Sequence, residues 1–197
     1  MKLFYAATSP YVRKVLATAI AAGVEPLITK VPTNPHMSGP ELLAANPLSR
    51  IPCLVTDDGF ALFDSPVICE YLDAIGTATL FPAGAARWRV LKNQAIGDGI
   101  MDAAVGRRGE QARPEEAARA ASMQRQKDAV ARSLALLESD VPPDHLDIGT
   151  IAIACALGYL DFRFAVEPWR EAHPHLAAWY EKMAARPELA QTAPPPQ

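Results

Sequence analysis

The segment Thr8-Ser9-Pro10-Tyr11-Val12-Arg13-Lys14-Val15 (TSPYVRKV) follows a short apolar run at 2–7 (KLFYAA) and opens a stretch that ends at Gly23. Proline is favoured at the first helical position, because its missing N–H would be unpaired there, and this places Ser9 at an N-cap. Val12, Val15, Leu16, Ala19 and Ile20 then recur at i, i+3, i+4, i+7 and i+8, the stripe of an amphipathic helix. A strand and a helix therefore open the fold. Ser65-Pro66 repeats the same start, and Ile68, Tyr71, Leu72 and Ile75 share one face of the helix that follows, with Gly76 as its stop. Two capped helix ends, each with free N–H groups and partial positive charge, are thus available to an anion.

Between these helices the pattern is strand-like and punctuated. Pro26 to Val31 reads as a second strand, and a loop rich in Pro, Asn and Ser runs to Gly39 before a short helix at 41–45. Cys53-Leu54-Val55 and Phe60-Ala61-Leu62-Phe63 flank Asp57-Asp58-Gly59, a turn whose glycine accepts positive φ, so a β-hairpin is expected. The order over residues 1–77 is βαβαββα. Ile51-Pro52 leads straight into a strand, where proline is tolerated mainly at an edge, at the first position or in a special turn. A cis bond fits there, and sequence alone does not decide it.

After a linker at 78–85 the character changes. Helical patterns cover 86–106, 115–139, 145–164 and 174–185, and no strand pattern recurs through the 86–197 region. The 36 alanines suit close-packed helices, whereas nine of the 18 prolines fall in residues 1–82. Asp144-x-x-Asp147 resembles a capping box, with Asp144 as the cap and Asp147 in the first turn. The apolar run Ile148 to Leu160 is shorter than the roughly 18–20 residues a bilayer span needs, so it reads as a buried helix, and no membrane partner is expected. Arg13 and Lys14 before an alanine-rich run have the look of a secretion signal, but Leu3-Phe4-Tyr5 is better used as a strand. The tail, TAPPPQ, cannot be helical.

The 197 residues are 50% hydrophobic and 21% charged with a formal net charge of -3, the profile of a soluble globular chain. An acidic balance argues against nucleic acid, which needs a basic face. Cys53, Cys69 and Cys155 are odd in number and scattered, which fits reduced thiols in the cytoplasm and leaves no ligand set for zinc or another metal. A thiol–disulfide oxidoreductase needs a cysteine where Ser9 stands. Cys53 lies near the same place, but a buried strand thiol is the plainer reading.

TSPYVRKV (8–15), NPLSRIPCL (46–54) and FDSPVICEYL (63–72), in that order, resemble the soluble glutathione transferases, and DIGTIAIACALGYLDFR (147–163) is similar to that family's buried core helix. The resemblance implies an α+β thioredoxin-like domain followed by an all-helical domain, a cytoplasmic homodimer, and glutathione as co-substrate. It assigns the sulfur contact to Ser9, with Thr8 as the competitor and Tyr5 and Tyr11 behind it. It places Ile51 against the cysteinyl backbone of glutathione, Arg50 near the glycyl carboxylate, and Asp64 and Ser65 at the γ-glutamyl end. Asp64 stands where the family usually has Glu or Gln, one carbon longer. His36, in the loop after the second strand, either contacts glutathione or is a plain surface histidine.

The chemistry agrees with that assignment. A free thiol of pKa about 8.5 is only about 3% thiolate at pH 7, and a hydroxyl donor at a helix N-terminus favours the thiolate. The expected reaction is attack of that thiolate on a small electrophile, with conjugation, dehalogenation, isomerisation and peroxide reduction all open. The alternative is a non-catalytic binding or regulatory protein on the same fold. For the electrophile side, Trp88, Met101 and Val105 offer apolar walls, and Asp98 and Asp102 share a helix face, either as an acid–base pair or as an ordinary polar surface.

Overall fold

The computed structural model describes residues 1–34, 36–37 and 39–196. Strand β1 (Lys2–Tyr5) runs into helix α1 (Pro10–Ala21), and β2 (Thr29–Pro32) returns beside β1. Helix α2 (Pro40–Ala45), strands β3 (Cys53–Val55) and β4 (Ala61–Leu62) and helix α3 (Ser65–Ile75) follow. The sheet order is β2-β1-β3-β4, with β2 parallel to β1 and both other pairings antiparallel. The β3–β4 turn is the expected hairpin, and Gly59 supplies its positive φ of 87°.

Helices α4 (Ala85–Glu110), α5 (Ala117–Ser139), α6 (Ile148–Arg163), α7 (Pro174–Ala184) and α8 (Pro187–Ala190) make up the rest. Thirteen residues of α6 are buried, from Ile148 to Leu160, with α4, α1 and α7 packed against it. The small residues explain how close α4 and α6 come: a Cβ on Gly97 would lie 2.5 Å from the Ala152 carbonyl carbon. Each buried leucine or isoleucine in that core contributes about 1.5–3 kcal/mol. No helix is long and apolar enough, among the described residues, to cross a membrane.

The two cores interlock. Ala17 of α1 packs with the helical core, while Val90 of α4 and Ile148 of α6 pack with the core beneath the sheet. The connecting segment is clamped too, since Asp73 accepts from the backbone N–H of Leu80 at 2.8 Å and of Phe81 at 3.2 Å.

Several expectations need correction. Residues 25–27 form a 3-10 turn rather than strand, and β2 starts at Thr29, because Pro26 sits at the start of that turn and pairing with β1 begins only at Lys2↔Thr29. Ser65 is the first helical residue of α3 and Asp64 holds the N-cap. In the second domain Asp147, not Asp144, caps α6, in a reciprocal box with Thr150: Thr150 N–H donates to Asp147 Oδ1 at 2.8 Å and Asp147 N–H to Thr150 Oγ1 at 2.9 Å. Most consequential, α1 is not amphipathic in practice: Arg13 and Lys14 are buried along with its apolar stripe, because sheet and α3 cover one side and α6 and α8 the other.

Candidate functional site

One end of the sheet gathers the residues singled out in the sequence. Tyr5 ends β1 and pairs with Pro32 at the end of the parallel β2, so the 33–39 loop carrying His36 leaves from the same edge as the 6–9 loop carrying Ser9. Cys53 begins the antiparallel β3 opposite Phe4, which brings the cis Ile51-Pro52 bond to that edge as well. β4 pairs Leu62 with Leu54 and then delivers Asp64 and Ser65 there. Backbone register alone therefore brings Ser9, His36, Arg50, Ile51, Asp64 and Ser65 to one end of the molecule.

Ser9 caps α1 and is half-buried, and its Oγ accepts from the Val12 N–H at a long 3.4 Å. Accepting leaves the hydroxyl proton available to donate. Ser65 is buried, Asp64 and Arg50 are exposed, and Ile51 is half-buried. The Arg50 carbonyl accepts from Asn46 Nδ2 at 2.8 Å, which fixes the turn before the cis bond. His36 is exposed, held by its backbone N–H donating to Asn34 Oδ1 at 3.0 Å. Cys53 is fully buried, and burial pushes its thiol up to about 11, so it offers no thiolate to this end.

Next to Ser9, α1 and α4 are joined by side-chain pairs that sequence reading missed. Lys14, fully buried, donates to Asp98 of α4 at 2.6 Å. Burial pushes the Asp98 carboxyl above the usual range, against the downward pull of Lys14. Arg13 donates through Nη2 to the Leu189 carbonyl of α8 at 3.1 Å, and Gly158 makes room for it: a Cβ there would lie 2.1 Å from Arg13 Nη1. Tyr11 donates to Asp102 Oδ1 at 2.5 Å. Burial first, and the Asp102 carboxylate second, hold the Tyr11 phenol well above the usual tyrosine range. The Asp98–Asp102 pairing thus resolves into two separate partnerships, each with α1. A visible signal was the Arg13-Lys14 pair next to the apolar stripe.

Ala7, Thr8, Ser9, Pro10 and Arg13 share a small recess with Cys155 and Tyr159 of α6 and with Pro194 of the tail. A much larger cavity, about 720 Å³, lies between Arg107 at the far end of α4, α5 and Glu167, and its lining includes none of the residues named above. Met101 is fully buried in the helical core and Trp88 is 72% exposed, so neither serves as a pocket wall as expected, whereas Val105 is half-buried. Among the described residues no group of three or more His, Cys, Asp or Glu side chains is placed to hold a metal ion.

Family models for the glutathione S-transferase N-terminal domain match residues 8–75, and for its C-terminal domain residues 120–182. An uncharacterized GST-like protein of Escherichia coli (strain K12), YibF, is 37% identical over 203 residues that cover 99% of both chains. A glutathione transferase family member from Pseudomonas fluorescens Pf-5 with bound glutathione superimposes with a TM-score of 0.92 at 41% identity, covering 99% of each chain. A structure of a family member from the same source with bound S-(propanoic acid)-glutathione gives 0.89 at 41% identity over the full length of both.

Proposed function

The chain belongs to the glutathione transferase family, and from that premise we propose that it binds glutathione at the open end of the sheet and activates its thiol for attack on a small electrophile. The observation that carries this reading is Ser9 at the N-cap of α1, its proton free to donate, beside the cis Ile51-Pro52 turn that β3 pairs against β1. A hydroxyl donor and the positive end of α1 act together on one sulfur, and both favour the thiolate over the thiol. The Ile51 backbone next to the cis bond pairs with the cysteinyl unit. Ser65 and the α3 N-terminus hold the γ-glutamyl carboxylate, and Asp64 takes its ammonium. Arg50 and His36, both exposed at the same edge, face the glycyl carboxylate.

The glutathione-bound Pseudomonas relative supports the co-substrate, and its relative with the S-propanoic acid conjugate supports alkylation of the sulfur as the reaction type. We place the protein in the cytoplasm as a homodimer, with a division between glutathione-binding and helical domains at 78–85. The electrophile approaches the sulfur at the mouth of the small recess, about 10 Å³, between Ser9 and Tyr159.

Ser9→Ala tests the reading. Turnover should fall by roughly two orders of magnitude, the cost of removing one preorganised donor, with glutathione affinity little changed. The thiol pKa of bound glutathione, read from thiolate absorbance, should rise toward the free value of about 8.5. Unchanged turnover would remove Ser9 from the mechanism. If glutathione gives neither a thermal shift at millimolar concentration nor retention on an immobilised column, the protein is a non-catalytic member of the fold.

A further inference from the structure

Helix α6 presents Cys155, Tyr159 and Arg163 at i, i+4 and i+8, one above the other on a single face. The first two line the recess that Ser9 occupies, so the third stands one turn, roughly 6 Å, further along the same wall. Arg163 is half-buried, lies over the Phe162 ring with its guanidinium carbon 4.1 Å from the centroid, and, against the upward push of burial, its charge pulls the Tyr159 hydroxyl down. Its Nε is buried with no hydrogen-bond partner. Two other arginines of this domain are neutralised: Arg107 pairs with Glu167 and Arg170 with Asp161 and Glu181. Among the described residues no carboxylate lies within ion-pair distance of Arg163, nor of Arg108, whose charge acts on the same Tyr159 hydroxyl and whose Nη1 donates only to Gln111. The acid on the facing helix, Asp102, is occupied by Tyr11.

A stacked, partly desolvated guanidinium with no counter-charge among the described residues is matched in geometry to a carboxylate. We propose that Arg163, with Tyr159 and Arg108 beside it, forms an anion subsite for the second substrate, so that the electrophile is a small carboxylate-bearing molecule. This rests on the reading that glutathione sulfur lies at Ser9. The spacing of one helical turn puts the anionic group two or three carbon–carbon bonds from the carbon that sulfur attacks. With a β-halocarboxylate such as 3-bromopropionate, a C–S bond forms at the terminal carbon and the C–Br bond breaks. Bromide leaves with the electron pair, and the thiol proton passes to solvent.

The test compares two finished conjugates by calorimetry, S-(2-carboxyethyl)glutathione and its carboxamide, with free glutathione as reference. The acid should bind at least about tenfold more tightly than the amide, the worth of one charge-assisted hydrogen bond. Arg163→Gln should erase that preference while glutathione itself binds as before, and Arg163→Lys should restore part of it. In turnover, 3-bromopropionate should beat 3-bromopropionamide through KM in the natural protein only. Equal affinities for acid and amide, with glutathione binding intact, would overturn the anion subsite and leave the transferase reading standing. Loss of the preference in neither variant would move it away from Arg163 and overturn the assignment. Failure of glutathione to bind at all would overturn both readings together.

Discussion

The two sides of the site are built by different means. On the side proposed to take glutathione, the parts that matter are backbone: a helix N-terminus, a cis-proline turn and a second helix start, all delivered to one edge by strand pairing. On the side proposed to take the electrophile, they are long side chains from α1 and α6 and a proline of the tail, with α1 tied to α4 through Tyr11 and Lys14, brought together only by how the helices pack. Backbone devices depend on local sequence and register, so they are readable in advance and tolerant of surface change. Side-chain devices depend on a partner more than eighty residues away, as Tyr11 on Asp102 and Lys14 on Asp98, and are exposed to any shift in helix packing.

The comparison breaks first if the glutathione side turns out to rely on a protein thiol. Cys53, next to the cis-proline, and the wholly buried Cys69 and Cys155 are each pushed up to about 11 by burial. At pH 8 such a thiol is only about 0.1% thiolate, more than about two hundredfold below a free cysteine. An aromatic disulfide reagent should therefore titrate no thiol in the native protein and three after unfolding, and one fast native thiol would break the contrast. The sign follows for stability as well: these groups keep their protons when folded, so their contribution is intact below the unfolded pKa near 8.5 and is lost as pH rises through 11.

Next in size is the joint between the sides. Asp98→Asn leaves Lys14 buried without a counter-charge, and unfolding in urea should lose about 3 kcal/mol. Lys14→Met with Asp98→Leu should recover most of that, since the pair's attraction only offsets its own burial. Recovery of stability without recovery of turnover would show that the pair also sets helix placement at the site. Gly158→Ala should cost about 2 kcal/mol, because the new methyl meets the Arg13 guanidinium and α6 must move away from α1. If it costs nothing, α1 is less tightly fixed against α6 than the buried Arg13 requires.

The smallest effect belongs to the exposed rim of the glutathione side. Arg50→Ala should weaken glutathione binding less than about fivefold, and by less still at high salt, where exposed charges are screened. A larger loss would mean that this side, too, depends on a specific side chain.

Legibility in the sequence followed the same division. The strand–helix opening, the hairpin turn at Gly59 and the buried run of α6 each carried a local signal, a cap, a period or a turn residue, and each is present, while the second helix start lies one residue earlier than its serine cap implied. Errors arose where two local signals competed. Both Asp144 and Asp147 suit a cap, and Thr150, able to answer only Asp147, decided between them. Pro26 and the apolar residues after it read as strand, but pairing with β1 begins further on. The apolar stripe of α1 gives no sign that Lys14 is buried, because a single-helix pattern cannot show that a second layer will cover the other side.

By itself the sequence determined the order of elements and the two helices that open beside a proline, because capping, turn conformation and strand alternation are set by residues within a few positions of one another. Only the tertiary structure decided that Arg13 and Lys14 are buried, that Asp98 and Asp102 serve different partners, and that Arg163, one turn from Tyr159, has no carboxylate partner among the described residues. Those facts depend on which helices share a face, and burial and charge pairing across that face follow from packing that no local pattern encodes.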